Sequence, residues 1–319
     1  MNVKQFFLES HIFIVTGKGG TGKTVSSIAL AMTAAGQGLN TLLVTLDEDS
    51  HIFELLNVEI SNTEASVRIE ENLSVRLITP EDALIRYLVE HGMGKVSKRL
   101  LSTNTVHVIS NAIPGIEEIL VLGRLKQLEK DKIADVIIVD GPATGHAITL
   151  LTSPKGLAFV ARGGALRKQA DDVEEMLSDH KRCQVVFVCI PEETPINETV
   201  DAAYLIEDKT NVALAPMIIN QVYTSIKGID TDPKAAAEKA GLESQDQNCL
   251  QILKDASEFR RNRIEFQRDL LERLQQELAL PKIYLPLILA GDFTENMIFV
   301  MAEILEQQIS TMKPFDHAS

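Results

Sequence analysis

One short segment constrains this chain more than any other. The sequence Gly17-Lys-Gly-Gly-Thr-Gly-Lys-Thr24 follows an apolar run, HIFIVT at 11–16, and precedes a helix-like run that begins VSSIALAM. It matches the pattern GxxxxGK[ST] in full, in the strand, loop and helix setting that the pattern requires. The segment therefore predicts a phosphate-binding loop between a first strand and a helix.

The residue types in this loop fit the chemistry of bound ATP. Its glycines are predicted to take positive φ and to let successive backbone N–H groups point at the phosphates. Lys23 is predicted to reach the β and γ oxygens and the Thr24 hydroxyl to bind Mg²⁺, while the N-terminus of the following helix adds partial positive charge. The predicted nucleotide-binding residues of the loop are Gly17, Gly19, Gly20, Thr21, Gly22, Lys23 and Thr24.

Short apolar runs rich in Val and Ile recur between helix-like segments. Strands are expected at 11–16, 41–46, 134–140, 183–190, 215–220 and 282–287, with a further one at 71–78. Runs that are apolar on both faces are typical of a parallel sheet covered by helices. We therefore expect an α/β fold with a doubly wound, mostly parallel sheet in a single P-loop domain over 1–319. A helical insertion is expected at 80–129 and a helical and loop region at 225–280.

Two acidic residues close predicted strands at the edge where such sheets bind ligands. Asp140 ends the run ADVIIVD and is predicted to hold Mg²⁺, directly or through water. Asp47 follows TLLVTL and is predicted to position or deprotonate the attacking water. Its neighbours Glu48 and Asp49 are more typical of a solvated loop. The candidate metal-site residues are therefore Thr24, Asp140 and Asp47.

The segment after Asp140 reads Gly-Pro-Ala-Thr-Gly-His, at 141–146, and leads into a helix-like run. A glycine-bearing loop between an acid and a helix start is able to move when the γ-phosphate leaves, as switch loops do. Thr144 is a candidate nucleotide-binding residue in this loop. An ordinary strand-to-helix turn with Thr144 as the helix cap is an alternative that the sequence leaves open.

Composition and charge exclude several classes. A formal net charge of -14 argues against a general nucleic-acid coat, because phosphate binding needs clustered cations. Apolar stretches fall short of the roughly 18 residues that a membrane span needs, and the N-terminus lacks the pattern of a signal peptide. Cys183, Cys189 and Cys249 form neither a disulfide framework nor a CxxC pair. We expect a cytoplasmic protein that touches membranes only through partners.

Five segments, taken together, carry a family resemblance. They are GKGGTGKT at 17–24, IPGIEE at 113–118, DGPATGHA at 140–147, PEETP at 191–195 and INQV at 219–222. With other matches spread over 12–290, they resemble the arsenical-pump (ArsA) and tail-anchored-protein-targeting ATPases. The string GKGGTGKT also resembles the deviant Walker A motif of the superclass that includes MinD, ParA and the nitrogenase iron protein.

The resemblance implies roles for single residues. It implies that Lys18 is a catalytic residue that reaches a neighbouring subunit's phosphates, together with Lys23 and Asp47 in its own subunit. It also implies that Asn220 contacts the adenine and that Leu285 and Pro286 lie near the base. Because the chain holds one P-loop, two sites require a homodimer or a related ATPase subunit. The implied output is to drive a partner in transport or in membrane-protein targeting.

The sequence also departs from the family. Residues 47–51 read DEDSH where the family commonly has DPAHS, and the first Thr of the family's DTAPTGH is missing. No CxxC is present, so the zinc of the eukaryotic targeting dimer is not carried over. No cysteine lies near the predicted switch segments, which makes thiol coordination of arsenite unexpected. In the family the helical insertion faces clients, but residues 92–112 hold one Met, so ordinary packing is the interpretation favoured here.

Two other classes of P-loop protein carry similar loops. A nucleotide-gated partition or positioning protein like ParA or MinD would need a basic DNA-binding face or a C-terminal amphipathic membrane helix. The C-terminal segment AEILEQQISTMKPFDHAS lacks basic residues on a polar face. An electron-transfer ATPase like the nitrogenase iron protein would need cysteines for a shared cluster. A nucleotide-switched ATPase is therefore the first interpretation and the ParA/MinD type the alternative.

Overall fold

The computed structural model describes residues 1–59, 65–92, 113–160, 163–241, 247–289 and 294–313. Within them nine strands form one sheet, in the order β3-β4-β2-β5-β1-β6-β8-β9 with β7 paired to β6. The strands are β1 Ile12–Gly17, β2 Thr41–Thr45, β3 Val67–Glu70, β4 Leu73–Leu77, β5 Val136–Ala143, β6 Cys183–Cys189, β7 Ala213–Leu214, β8 Met217–Val222 and β9 Lys282–Pro286. The seven strands predicted from apolar runs are all present.

Helices cover both sides of this sheet. They are α1 Val3–Leu8, α2 Lys23–Gly36, α3 Ile52–Leu55, α4 Pro80–Glu90, α5 Ile116–Lys130, α6 Thr144–Val160, α7 Ala165–Ser178, α8 Glu193–Lys209, α9 Pro233–Lys239, α10 Gln247–Glu277 and α11 Glu295–Thr311. The N-terminal helix α1 was not expected from the sequence. It packs Phe6 and Phe7 against Phe13 of β1, so it extends the core before the first strand begins.

The sheet is parallel except at one edge, where β3 runs antiparallel to β4. Strand β1 lies at its centre, between β5 and β6. The chain thus leaves β1 toward one side of the sheet for β2 and returns to its other side for β6. This is the doubly wound arrangement expected from the sequence, and it places the end of β1 at the point where the winding direction changes.

Alternate residues of the strands enter two cores. Phe13 and Val15 of β1 pack with α1, α2 and α11 on one face, and Ile12 and Ile14 pack with α5 to α8 and α10 on the other. A strand that is covered on both faces buries every side chain, which explains why the runs read as continuously apolar. The burial of both faces fixes the strand ends rigidly relative to one another.

The region predicted as a helical insertion, 80–129, is described at its two ends. Helix α4 begins with Thr79 as its N-cap, whose hydroxyl accepts from the Asp82 amide at 3.2 Å. Helix α5 shares a small core with α4, and its Val121, Leu122, Leu125 and Leu128 enter the main core beneath the sheet. Residues 93–112 lie outside the described part. The division into an insertion at 80–129 and a region at 225–280 stays a prediction.

The long helix α10 contacts the core along only part of its length. Leu270, Leu274 and Leu278 at its C-terminal end are buried against the sheet. Phe259 and Phe266, which share the same spacing, are 59% and 37% exposed. The C-terminal part of α10 therefore packs in the core, whereas Phe259 and Phe266 lie at the surface.

Candidate nucleotide site

The loop after β1 has the backbone of a phosphate cradle, with one correction to the prediction. Positive φ occurs at Gly20 (83°) and Gly22 (87°), whereas Gly17 and Gly19 do not take it. Gly17 is instead the last residue of β1, and a Cβ there would lie 2.0 Å from the carbonyl oxygen of Val188 in β6. Gly17 is needed for close strand packing, and only two of the glycines for their φ.

Asn220, at the end of β8, holds this loop. Its side-chain amide donates to the Thr21 carbonyl at 3.0 Å, and its Oδ1 accepts from the Gln221 amide at 2.9 Å. A Cβ on Gly22 would lie 2.3 Å from the same amide nitrogen, so Asn220 fits only against a glycine. Gln267 of α10 fixes the strand end by bonding to the Gln221 carbonyl and the Tyr223 amide. Asn220 is therefore a loop-positioning residue in this structure, and its contact with adenine stays a prediction.

Helix α2 presents an uncapped N-terminus to the loop. Its N-cap is Gly22, which has no side chain to accept from the first amides, and Lys23 is the first helical residue. Unpaired N–H groups at a helix start, together with the helix dipole, form a ready anion site. The first turn carries no acidic residue that would repel an anion. Lys23 and Thr24 are half-buried at this helix start, beside the loop amides.

Asp140 lies beside the helix start with both carboxylate oxygens engaged. The Thr24 hydroxyl donates to Oδ2 at 2.9 Å, and the Ser27 hydroxyl donates to Oδ1 at 3.0 Å. Strand pairing brings this about, because Asp140 sits next to Val15 of β1 and Thr45 of β2. Thr24 and Asp140 are thus brought together as predicted. Ser27 was missed, although its position one turn after Thr24 on the same helix face was a usable signal.

The Asp140 carboxyl is buried, at 8% exposure, and this decides its electrostatics. Burial raises the pKa of Asp140, while the bonds from Thr24 and Ser27 and the charge of Lys23 lower it, and the nearby Asp47 raises it further. Asp140 has no ion-pair partner among the described residues. A buried carboxylate next to a threonine hydroxyl is a donor set that suits Mg²⁺.

Asp47 contrasts with Asp140 because it is exposed. Its Oδ1 accepts from the Asp49 amide at 3.0 Å, and its carbonyl accepts from the Ser50 amide at 3.2 Å. Asp47 therefore organises the turn after β2 in which it lies. Its charge acts on the pKa of Asp140, so the two carboxylates belong to one site. The structure brings Asp47 near Asp140, and both its place among the metal-site residues and its work on a water molecule stay predictions.

Lys18 forms an ion pair that sequence reasoning missed. Its ammonium contacts the carboxylate of Glu198 on α8 of the same chain. The Lys18 carbonyl accepts from both the amide and the hydroxyl of Thr21, so its backbone is fixed while its side chain points away. The partners are 180 residues apart in sequence. No local pattern signals this pair.

The segment predicted as a switch loop is built differently. Strand β5 continues past Asp140 to Ala143, and helix α6 begins at Thr144, so no separate loop intervenes. The Thr16 hydroxyl of β1 donates to the Pro142 carbonyl at 2.8 Å, which extends the strand pairing. The Thr144 hydroxyl is buried and has no hydrogen-bond partner among the described residues. Thr144 therefore has a free hydroxyl beside the end of β1, and its nucleotide contact stays a prediction.

Leu285 and Pro286 end the neighbouring strand β9. Leu285 is fully buried and packs in the core with Ile283, whereas Pro286 is half-buried and pairs with Val222 of β8. Of the two, only Pro286 has exposed surface to offer to a base. Their proximity to the adenine stays a prediction.

The cysteines have no metal-binding arrangement. Cys183 and Cys189 are buried in β6, and burial raises their thiol pKa to about 12 and about 11. Thiols held neutral in this way are poor ligands for soft metals. Among the described residues, no group of three His, Cys, Asp or Glu side chains forms a metal site.

Comparison with known proteins supports the family resemblance. The sequence profile of the family described as anion-transporting ATPase matches residues 10–162, which include the loop, Asp47, Asp140 and Thr144. Over these residues, just under half of its length, the chain is similar to the anion-transporting ATPases. This is the family that the sequence motifs resemble, so its members' class, a nucleotide-binding ATPase, applies here.

Relatives of the family extend the match beyond residue 162. The chain is 26% identical to the ATPase BagA of Mycobacterium tuberculosis, over 93% of each chain. It is 27% identical to the ATPase ASNA1 homolog of Cryptosporidium parvum, over 77% of this chain and 70% of that one. It is 30% identical to the arsenical pump-driving ATPase of Acidiphilium multivorum, over 71% of this chain but only 40% of that protein.

Proposed function

We propose that this chain is a Mg²⁺-dependent ATPase that acts as a nucleotide-switched dimer and drives a partner in transport or membrane-protein targeting. The observation that carries the proposal is the convergence of the glycine loop, the uncapped start of α2 and the Thr24–Asp140 pair at one sheet edge. Relatives named as pump-driving and as ASNA1-type ATPases support the partner role.

The loop and the helix start bind the triphosphate. The loop amides and the N-terminus of α2 supply partial positive charge to the phosphate oxygens, and Lys23 supplies a full charge at the β and γ positions. Thr24 and Asp140 hold Mg²⁺, which when bound neutralises charge that develops on the β and γ oxygens. Lys18 is assigned to the neighbouring subunit's phosphates, where a second cation stabilises the transition state.

Hydrolysis needs a group that orients water. Asp47 is assigned this role because it is exposed, lies near Asp140 and is able to accept a proton. Its present hydrogen bond to the Asp49 amide has to be exchanged for one to water. The turn at Asp47 is thus the part of the site that changes when nucleotide binds.

The alternative, a ParA- or MinD-like partition or positioning protein, would need a basic DNA-binding face or a membrane-binding helix near the C-terminus. Helix α11 buries Ile298, Met301, Ala302, Leu305 and Ile309 in the core against α2. Its apolar face is therefore not available as a membrane-binding surface. In the described part of the chain, no helix has the length and apolar character needed to cross a membrane.

The dimer mechanism is tested by comparing two lysine variants. Lys23→Ala should abolish ATP binding, because it removes the charge from the subunit's own phosphates. Lys18→Ala should retain Mg²⁺-dependent ATP binding while turnover falls on the order of 10³-fold, as for loss of a trans-acting cation. Binding is measured by titration calorimetry and turnover by phosphate release, with the exposed Lys181→Ala as the control. Normal turnover by Lys18→Ala would show that the trans-lysine mechanism is wrong.

A further inference from the structure

Glu198 gives Lys18 a partner within its own subunit. The two side chains are 34% and 44% exposed, so the pair sits at the protein surface and not in the core. The backbone of Lys18 is fixed by Thr21, as described above, so the ammonium can change partners by side-chain rotation alone. The segment PEETP at 191–195, which resembles the family, leads directly into the helix that carries Glu198.

Helix α8, which carries Glu198, is held against α10 by two side-chain contacts. Glu192, its N-cap residue, pairs with Arg263 of α10, and Asn197 accepts from Arg273 of α10 at 2.7 Å. The Thr199 hydroxyl donates to the Pro195 carbonyl at 2.7 Å and tightens the first turns of the helix. Glu198 therefore stands on a helix tied to the body of the protein, and it faces a lysine whose own backbone is tied to the loop.

We propose that Glu198 is a positioning residue that holds Lys18 in its own subunit until nucleotide binds in a second one. The inference rests on the proposed function, in which Lys18 acts across the dimer. In the nucleotide-free chain the Lys18 ammonium is neutralised by Glu198. Closure of the dimer replaces this carboxylate with the neighbour's triphosphate, and opening returns the lysine to Glu198.

The strengths of the two contacts make this exchange reversible. A partly exposed lysine–carboxylate pair is weak, because solvent screens it and its side chains lose freedom. A triphosphate carries more negative charge than a carboxylate, and a closed interface excludes the water that screens this charge. The Lys18 ammonium therefore binds the triphosphate more strongly than Glu198 once the two subunits meet. Glu198 then sets how much ATP is needed for closure without preventing it.

The test is the charge-removing variant Glu198→Gln in the full-length chain. It is made in the Asp47→Asn background, which slows ATP consumption, and dimer formation is followed by light scattering during ATP titration. The ATP concentration for half-maximal dimer formation should fall two- to fivefold, as expected for loss of an exposed ion pair. Glu198→Asp keeps the charge, so its ATP concentration for half-maximal dimer formation should be close to that of the parent. Glu207→Gln removes an exposed carboxylate from the same helix and should leave this concentration unchanged.

Two controls separate positioning from a structural effect. ADP affinity and the melting temperature should be unchanged in Glu198→Gln, because the phosphate site of its own subunit does not use Lys18. Combined with Lys18→Ala, the Glu198→Gln change should have no further effect on the threshold. An unchanged or higher threshold in Glu198→Gln, or a shift that persists without Lys18, would overturn the proposal for Glu198 alone. Absence of ATP-dependent dimers in the parent chain would overturn the dimer mechanism as well.

Discussion

Strands β5 and β2 both bring a carboxylate to the same edge of the sheet, but the two carboxylates differ in burial and in hydrogen bonding. Asp140, within β5, is buried and receives hydrogen bonds from Thr24 and Ser27. Asp47, after β2, is exposed, and its carboxylate accepts from the Asp49 amide in the same turn. The first carboxylate is fixed by side chains from another element, whereas the second is fixed by its own neighbours.

This difference separates a preformed half of the site from an adaptable half. Asp140 cannot move without breaking two hydrogen bonds and disturbing a strand packed on both faces. Asp47 needs only to give up one bond to an amide that water can satisfy. We infer that the metal side of the site exists before nucleotide binds, and that the water side is completed afterwards. The predictions below test this division, beginning with the largest expected effect.

Replacement of the preformed carboxylate should have the largest effect. Asp140→Asn keeps the size and one acceptor oxygen but removes the charge that a divalent cation needs. We expect ATP turnover to fall on the order of 10³-fold, because charge stabilisation at the phosphates is the main catalytic contribution. Turnover is measured by phosphate release over a range of Mg²⁺ concentrations. Turnover within tenfold of the parent, with unchanged Mg²⁺ dependence, would remove Asp140 from the metal site.

The stability of the same variant serves as its control. Burial raises the pKa of Asp140 in the folded state, so the folded protein binds this proton more tightly than the unfolded one. The contribution of Asp140 to stability is therefore greatest at low pH and is lost as pH rises through the folded-state pKa. Asp140→Asn should lack this part of the pH dependence and should melt no lower than the parent near neutral pH.

The adaptable carboxylate should show a smaller and different effect. Asp47→Asn should lower turnover on the order of 10²-fold, as expected when a water-positioning base is lost. ATP and Mg²⁺ affinity should stay within a few-fold, because Asp47 is not part of the preformed pair. Calorimetric titration of ATP with Mg²⁺ checks affinity, and single-turnover assays check the chemical step. A loss of Mg²⁺ affinity as large as that of Asp140→Asn would contradict the division into two halves.

The sequence predicted the preformed half better than the adaptable one. The motif GKGGTGKT and the apolar runs can be recognised from local spacing in the sequence. The loop, the doubly wound parallel sheet and the approach of Thr24 to Asp140 were therefore predictable. The contact between Lys18 and Glu198 was not predictable, since nothing near Lys18 in the sequence points to Glu198. The extension of β5 to Ala143 was hidden because Gly-Pro usually signals a loop, whereas here Thr16 supports the strand through the Pro142 carbonyl.

Replacement of Asn220 should have the smallest effect on ATP affinity. It tests whether the loop itself belongs to the preformed half of the site. Asn220→Ala removes the donor to the Thr21 carbonyl, a bond worth about 1 kcal/mol. We expect ATP affinity to weaken about fivefold. Asn220→Asp should weaken it further, because a carboxylate would face the carbonyl that the amide now satisfies.

The choice of nucleotide separates the two roles assigned to Asn220. Loss of the loop bond should weaken ATP and GTP, or inorganic triphosphate, by a similar factor, because it acts through the phosphates. Loss of an adenine contact should weaken ATP and leave triphosphate binding unchanged. An equal loss for all three ligands would therefore assign Asn220 to the preformed phosphate cradle. A loss confined to ATP would assign Asn220 to the base and leave Gly22 alone to shape the loop.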